Sequence, residues 1–208
     1  MRIGILGGSF NPPHFGHLRL AEAALASGRV DGILFVPAAE PPHKKTPVEA
    51  DAATRLDMTR LLAADDPRLA VDGLELERTG PSFTIDTVHE LLERNPANSY
   101  RLVIGSDMAR MFAKWRDYRE LLRLVPPLVA ERPDAKLEGS PGMLYPGLLE
   151  DERAVLLAGR FAMPLVAINS TLIRERIRNG AAVGDIADLT PPGVLEYIRA
   201  HRLYGLTE

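Results

Sequence analysis

Apolar runs of strand length alternate along the chain with segments whose apolar residues recur every three or four positions. Residues 3–6 read as a strand that stops at Gly7-Gly8, and residues 17–27 put Leu18, Ala21 and Leu25 on one face of a helix closed by Gly28. The unit then recurs: a strand over 32–36 stopped by Pro37, a helix over 51–64 with Leu56 and Leu61 near one stripe, and a strand over 69–72. A helix over 84–94 carries Ile85, Val88, Leu91 and Leu92, and a strand over 102–104 ends at Gly105-Ser106-Asp107. Later strands are predicted over 128–130 and 165–168, and later helices over 171–179, ended by Gly180, and over 192–201. This βαβαβ order predicts an α/β protein of Rossmann-like, doubly wound type, with a mostly parallel sheet and helices on both faces. Residues 131–146, rich in Pro and Gly, read as a surface excursion. One domain is therefore expected over 1–208, with a small helical part from about residue 170.

Composition narrows the classes. A chain of 208 residues, 46% of them hydrophobic, can bury a core. Lys and Arg number 25 against 28 Asp and Glu, and the net charge of −3 argues against a protein built to cover nucleic acid or an anionic membrane. Phosphate chemistry would have to use local positive charge. The absence of cysteine excludes disulfides, thiolate nucleophiles and cysteine-ligated zinc or iron–sulfur sites. The first apolar stretch meets glycine too early for a signal peptide, and no apolar run approaches the ~20 residues of a membrane span, so a cytoplasmic protein is expected.

The segment after the first strand, residues 7–17 (GGSFNPPHFGH), carries the densest chemistry. In open α/β sheets ligands gather at the carboxyl ends of strands, and a loop leading into a helix N-terminus presents N–H groups suited to phosphate. Gly7 and Gly8 permit close backbone approach and conformations closed to other residues, Pro12 and Pro13 stiffen the loop, and His14 and His17 are spaced to address one site. A tight turn is the plain alternative for the glycines and prolines. A zinc pair is the rival for the histidines, although His43, His89 and His201 supply no third ligand in a metal pattern. The dinucleotide fingerprint GxGxxG is absent after this strand. Near the other end, residues 168–174 (INSTLIR) place Ser170 as a cap candidate, Thr171 beside it and Arg174 one turn into a helix; capping with a surface arginine explains the segment equally well in isolation. The basic loop at Pro41-Pro42-His43-Lys44-Lys45 reads by itself as solvated.

Residues 7–17, ending in the HxGH of His14 to His17, resemble the nucleotidyltransferase superfamily that shares this signature with class I aminoacyl-tRNA synthetases. The INSTLIR segment resembles that superfamily's ISSTxIR motif, with Asn169 in place of the commoner Ser. The PPHK at 41–44, the PSFT at 81–84, Gly105-Ser106-Asp107 and Trp115 ahead of Leu121-Leu122 are similar to the bacterial nicotinate-nucleotide adenylyltransferase branch. One departure stands out, Asn11 where the family most often has Asp; an amide keeps the acceptor and drops the charge.

The resemblance implies an adenylyltransferase that joins ATP and nicotinate mononucleotide, with release of pyrophosphate. It implies catalytic roles at the α-phosphate for His14 and His17. ATP contacts would come from Gly7, Gly8, Ser9, Phe10, His17, Asp107, Arg132, Ser170, Thr171 and Arg174. Contacts to the mononucleotide would come from Asn11, His43, Lys44, Thr84, Ile85, Trp115 and Arg116. A lone tryptophan in a small protein is more often a core anchor, but the charged neighbours Lys114, Arg116 and Asp117 suit an exposed ring, and the resemblance implies that Trp115 stacks on the pyridine ring. Mg2+ is expected to arrive with the ATP phosphates, with no metal cage in the protein; the expected partners are the two nucleotides, without nucleic acid or membrane, and a homo-oligomer is compatible with the sequence. Preference for the nicotinamide mononucleotide, and a non-catalytic nucleotide sensor, stay open as alternatives. The PPHK, SFT and Trp115 elements disfavour phosphopantetheine or FMN as acceptor, and a tRNA-charging fragment lacks the length and basic surface.

Overall fold

The computed structural model describes residues 1–41, 48–131, 144–164 and 166–206. Six strands, β1 (Arg2–Gly8), β2 (Gly32–Pro37), β3 (Leu69–Val71), β4 (Ser99–Gly105), β5 (Leu128–Glu131) and β6 (Arg160–Ala162), form one sheet in the order β3-β2-β1-β4-β5-β6. β1 runs parallel to β4 with Arg2 opposite Ser99, β4 to β5 with Val103 opposite Leu128, and β5 to β6 with Val129 opposite Arg160. The strand order runs one way from β1 to β3 and the other way from β4 to β6. Right-handed crossovers then put the connecting helices on opposite faces, the doubly wound α/β arrangement predicted from the alternation of elements.

The helices are α1 (Phe15–Ala26), α2 (Ala52–Ala63), α3 (Thr84–Arg94), α4 (Ser106–Arg110), α5 (Tyr118–Leu124), α6 (Glu150–Ala158), α7 (Ser170–Arg178) and α8 (Pro192–Ala200). Gly28 and Gly180, just past α1 and α7, have φ of 68° and 81°, the left-handed conformation that lets glycine end a helix. The chain divides into two compact units. Met1–Leu6, Leu20–Leu34 and Phe83–Leu165 form the first; Gly7–Arg19, Phe35–Ser82 and Val166–Glu208 form the second. In the first, Leu102, Ile104 and Val129 of the strands are buried together with Val88 and Leu91 of α3, Leu121 of α5 and Leu156 of α6. In the second, α2 packs on β3 and α8, burying Met58, Leu62, Leu69, Val194 and Ile198.

Four expectations change. The strand expected over 165–168 is found at Arg160–Ala162, and Val166–Ile168 lead without strand pairing into α7; Pro164 cannot donate to a ladder and ends the strand early. Leu165 lies outside the described residues. The stripe of α2 turns by one position: Arg55, Met58, Thr59 and Leu62 are buried while Leu56 and Leu61 are half-covered, because Arg55 points inward onto backbone carbonyls. Helices α4, α5 and α6 were not predicted, being short or weakly patterned. Of the excursion expected over 131–146, Leu144 and Tyr145 are buried rather than at the surface, and residues 132–143 lie outside the described residues.

Candidate active site

Residues 9–14 are held by hydrogen bonds from several parts of the second unit. Phe10 turns the chain at φ 47° and buries its ring edge-on to Phe35 (centroids 5.8 Å) and tilted against His17 (4.8 Å). The Asn11-Pro12 peptide is cis. The next three carbonyls each accept a side-chain donor: Asn11 O from Arg174 Nη1 at 2.7 Å, Pro12 O from Ser170 Oγ at 2.8 Å, and Pro13 O from Thr190 Oγ1 at 2.9 Å. Arg55, 1% exposed, donates to the carbonyls of Ser9, Ala38, Ala39 and Ala50 at 2.7–3.1 Å. Burial lowers the pKa of its guanidinium, with Tyr204 and the Asp51 carboxylate acting in the opposite direction. Asn11, 3% exposed, accepts at Oδ1 from the Tyr204 hydroxyl at 2.7 Å and from Ala50 N–H at 3.3 Å. Burial pushes the Tyr204 hydroxyl well above its ordinary pKa, which keeps it a donor.

The two histidines meet as their spacing predicts. Their rings stack with centroids 3.8 Å apart, and His14 N–H donates to His17 Nδ1 at 3.2 Å. A neutral His17 that accepts at Nδ1 carries its proton on Nε2, so Nε2–H is the donor it can offer a ligand. Burial lowers the His14 pKa to about 4, and burial with the neighbouring His14 lowers that of His17, so both rings are neutral at pH 7. His14 Nδ1 is buried without a hydrogen-bond partner among the described residues. Gly16 is what permits the stack: a Cβ there would lie 2.8 Å from the His14 ring and 3.1 Å from Ile168 O.

α7 supplies the facing cations. Asn169 caps it, its Oδ1 accepting from Leu172 N–H at 2.8 Å, so Ser170 is the first helical residue rather than the cap expected from sequence. Arg174, besides its bond to Asn11, donates through Nε to Glu49 Oε1 at 2.9 Å and through Nη2 to Thr171 Oγ1 at 3.4 Å. Two further expectations are revised. Gly7 and Gly8 form the end of β1 and neither has positive φ; a Cβ on Gly8 would meet the Phe10 ring at 3.2 Å, which is the constraint there. Of the α1 amides expected to face a phosphate, Phe15 N–H is already bonded to Leu189 O at 3.0 Å.

In the first unit, Thr84 begins α3 without a side-chain cap, and the Ile85 side chain is buried, leaving its backbone N–H as the polar group on offer. The Arg116 guanidinium lies 4.7 Å from the centroid of the Phe83 ring and 3.7 Å from Asp86 Oδ2. Trp115 is half-buried against Phe112 (centroids 5.3 Å) rather than exposed, because Phe112 covers one side, and its Nε1 is buried without a partner among the described residues. Asp107 is exposed in the first turn of α4. His43, Lys44 and Arg132 lie outside the described residues. Sequence reasoning missed Arg55, Thr190, Tyr204 and Glu49, which organise residues 9–14 or α7. Only Arg55 left a trace, as a charged residue within the buried stripe of α2.

The chain is similar to known proteins along nearly its whole length. A family model described as cytidylyltransferase-like matches residues 5–176. A probable nicotinate-nucleotide adenylyltransferase of Synechococcus sp. (strain JA-3-3Ab) is 41% identical over 98% of this chain and 94% of its own. One from Geobacillus kaustophilus is 38% identical over 98% of this chain and 86% of its own. The structure of Plasmodium falciparum nicotinic acid mononucleotide adenylyltransferase complexed with NaAD is similar in fold, with a TM-score of 0.75 at 18% identity over 99% of this chain and 98% of that one. Matched along nearly its whole length, the chain belongs to the nicotinate-nucleotide adenylyltransferases of the cytidylyltransferase-like family.

Proposed function

We propose that this enzyme joins ATP and nicotinate mononucleotide, forming nicotinate adenine dinucleotide and pyrophosphate. The observation that carries the reading is the stacked, neutral His14–His17 pair, with Nε2–H of His17 as a donor, on a loop pinned at three successive carbonyls. The acceptor's 5′-phosphate, with a second pKa near ~6, is already anionic at neutral pH, so no general base is needed. The work left for the protein is to hold two polyanions in line and stabilise charge on the transferring phosphoryl group. His14 and His17 would meet the α-phosphate; Gly7, Gly8, Ser9, Phe10, Ser170, Thr171 and Arg174 would line the ATP phosphates, and Asp107 the ribose. Arg132 is assigned to ATP, and His43 and Lys44 to the acceptor phosphate, on the resemblance alone. With its Oδ1 already accepting two bonds, Asn11 would serve the acceptor through its amide nitrogen and the loop through its carbonyl.

Trp115 would stack on the pyridine ring, and Thr84, with the N–H groups of Ile85 and Arg116, would receive the nicotinate carboxylate. The uncapped start of α3 supports the acid as substrate, since free helix N–H groups favour an anion over a neutral amide. Among the described residues no group of three or more His, Cys, Asp or Glu could hold a metal ion. Mg2+ would come on the ATP phosphates, where it neutralises negative charge. Among the described residues no helix is long and apolar enough to cross a membrane. We take the enzyme to act in the cytoplasm. Offering both mononucleotides together with ATP and Mg2+ and resolving the products by chromatography tests the reading. The acid dinucleotide should dominate by on the order of 100-fold, as for sites that bond a group the competitor lacks. Predominant NAD formation would overturn the acid assignment, and no pyrophosphate release would overturn the reaction.

A further inference from the structure

Glu49 pairs with two arginines of α7 and has no part in the proposed reaction. Its Oε1 accepts from Arg174 Nε at 2.9 Å, and Arg178 Nη2 meets the same oxygen. Residues four apart on a helix are neighbours on one face, so Arg174 and Arg178 present two guanidinium groups to one point. Arg174 is largely covered, with 14% side-chain exposure, while Arg178 at 51% opens to water. Arg174 is further fixed by its bond to Asn11 O, which ties this point to the loop that carries the histidines. One oxyanion shared by two guanidinium groups is the contact that a phosphate oxygen makes with paired arginines.

We propose that Arg174 and Arg178 form a two-arginine clamp for the polyphosphate end of ATP and for released pyrophosphate, and that Glu49 is an internal occupant which the polyphosphate displaces. The proposal rests on the reading that α7 faces the ATP phosphates, and it adds Arg178 and Glu49 to that site. Glu49 is 37% exposed, so swinging out to water costs little, whereas pyrophosphate brings several charges and more acceptor oxygens. Its return behind the leaving pyrophosphate keeps the arginines paired and weakens the hold on product.

A purely structural role, in which Glu49 ties the segment before α2 to α7, predicts the opposite sign: loss of the carboxylate would loosen the arginines and weaken polyanion binding. Calorimetric titration of the full chain with inorganic pyrophosphate separates the two. Glu49→Gln should bind pyrophosphate about two- to fivefold more tightly, the fold-change of a partly exposed ion pair, and lower the KM for ATP by a similar factor. Arg178→Gln should bind it more weakly, and in the double variant the gain from Glu49→Gln should shrink. Glu49→Ala, which removes the side chain altogether, must shift affinity in the same direction as Glu49→Gln. Unchanged or weaker pyrophosphate binding in the Glu49 variants overturns the clamp. Because pyrophosphate binding needs no acceptor, a clamp that behaves as expected in a chain unable to adenylylate nicotinate mononucleotide would leave this proposal standing and remove the reaction.

Discussion

His14 carries a burial cost that shows itself only in acid. Its pKa falls from 6.5 in the unfolded chain to about 4 in the folded one, so below pH 6.5 the unfolded state takes up a proton that the folded state refuses. Stability from this residue is therefore complete above pH 6.5 and is lost as pH falls toward 4, by about 2 kcal/mol at pH 5 and about 3 kcal/mol in all. His17, lowered in the same direction, adds to the loss. Urea unfolding at pH 7.5 and pH 5 measures it, and His14→Asn should flatten the difference; an equal drop in the variant would assign the acid sensitivity elsewhere. His17→Ala removes the Nε2–H donor and should lower kcat by about 100- to 1,000-fold with little change in melting temperature. The histidine pair was legible in the sequence because HxGH spacing fixes it locally. The need for Gly16 was not: it comes from the His14 ring folding back over that position, where a Cβ would lie 2.8 Å from the ring. Asn11 is similar, since its two donors come from residues 39 and 193 positions away.

At the scale of the element, helices with strong periodicity were placed well, and α3 was predicted to the residue over Thr84–Arg94. The weak ones show where pattern fails. α2 looks like a helix packed through leucines, yet its inward face is set by Arg55, whose four carbonyl bonds join the ends of β1 and β2 to the segment before the helix. Such a residue defeats hydrophobic periodicity because its stabilisation is polar and long-range. Arg55→Leu fits the buried volume but leaves four carbonyls short of a donor; it should cost at least about 3 kcal/mol of unfolding free energy. It should also raise the KM for ATP, since Ser9 loses its tether. Chemical denaturation with parallel initial-rate kinetics tests both. Stability within about 1 kcal/mol of wild type would mean that water replaces the guanidinium at no cost.

For the molecule as a whole, a net charge of −3 sets the protein weakly against its polyanionic substrates, and the fold answers with cations placed at contact range. Arg55 and Arg174 belong to α2 and α7, and both reach backbone carbonyls of residues 9–11. The global repulsion acts over distances beyond the ~10 Å Debye length at 0.1 M salt and is already screened there, whereas the contact-range attraction continues to fall as salt rises. Raising ionic strength from about 0.1 M to about 0.5 M should therefore increase the KM for ATP, while kcat, which reflects bound substrate held by short hydrogen bonds, should move much less. If KM falls instead, net charge governs approach and the local cations do not. The alternation of strands and helices revealed the sheet, because each element needs only its own pattern, but it could not reveal this arrangement of charge. Composition sums 25 basic and 28 acidic residues without position, and the few that matter are brought together by pairings such as Arg174 with Asn11, 163 residues apart.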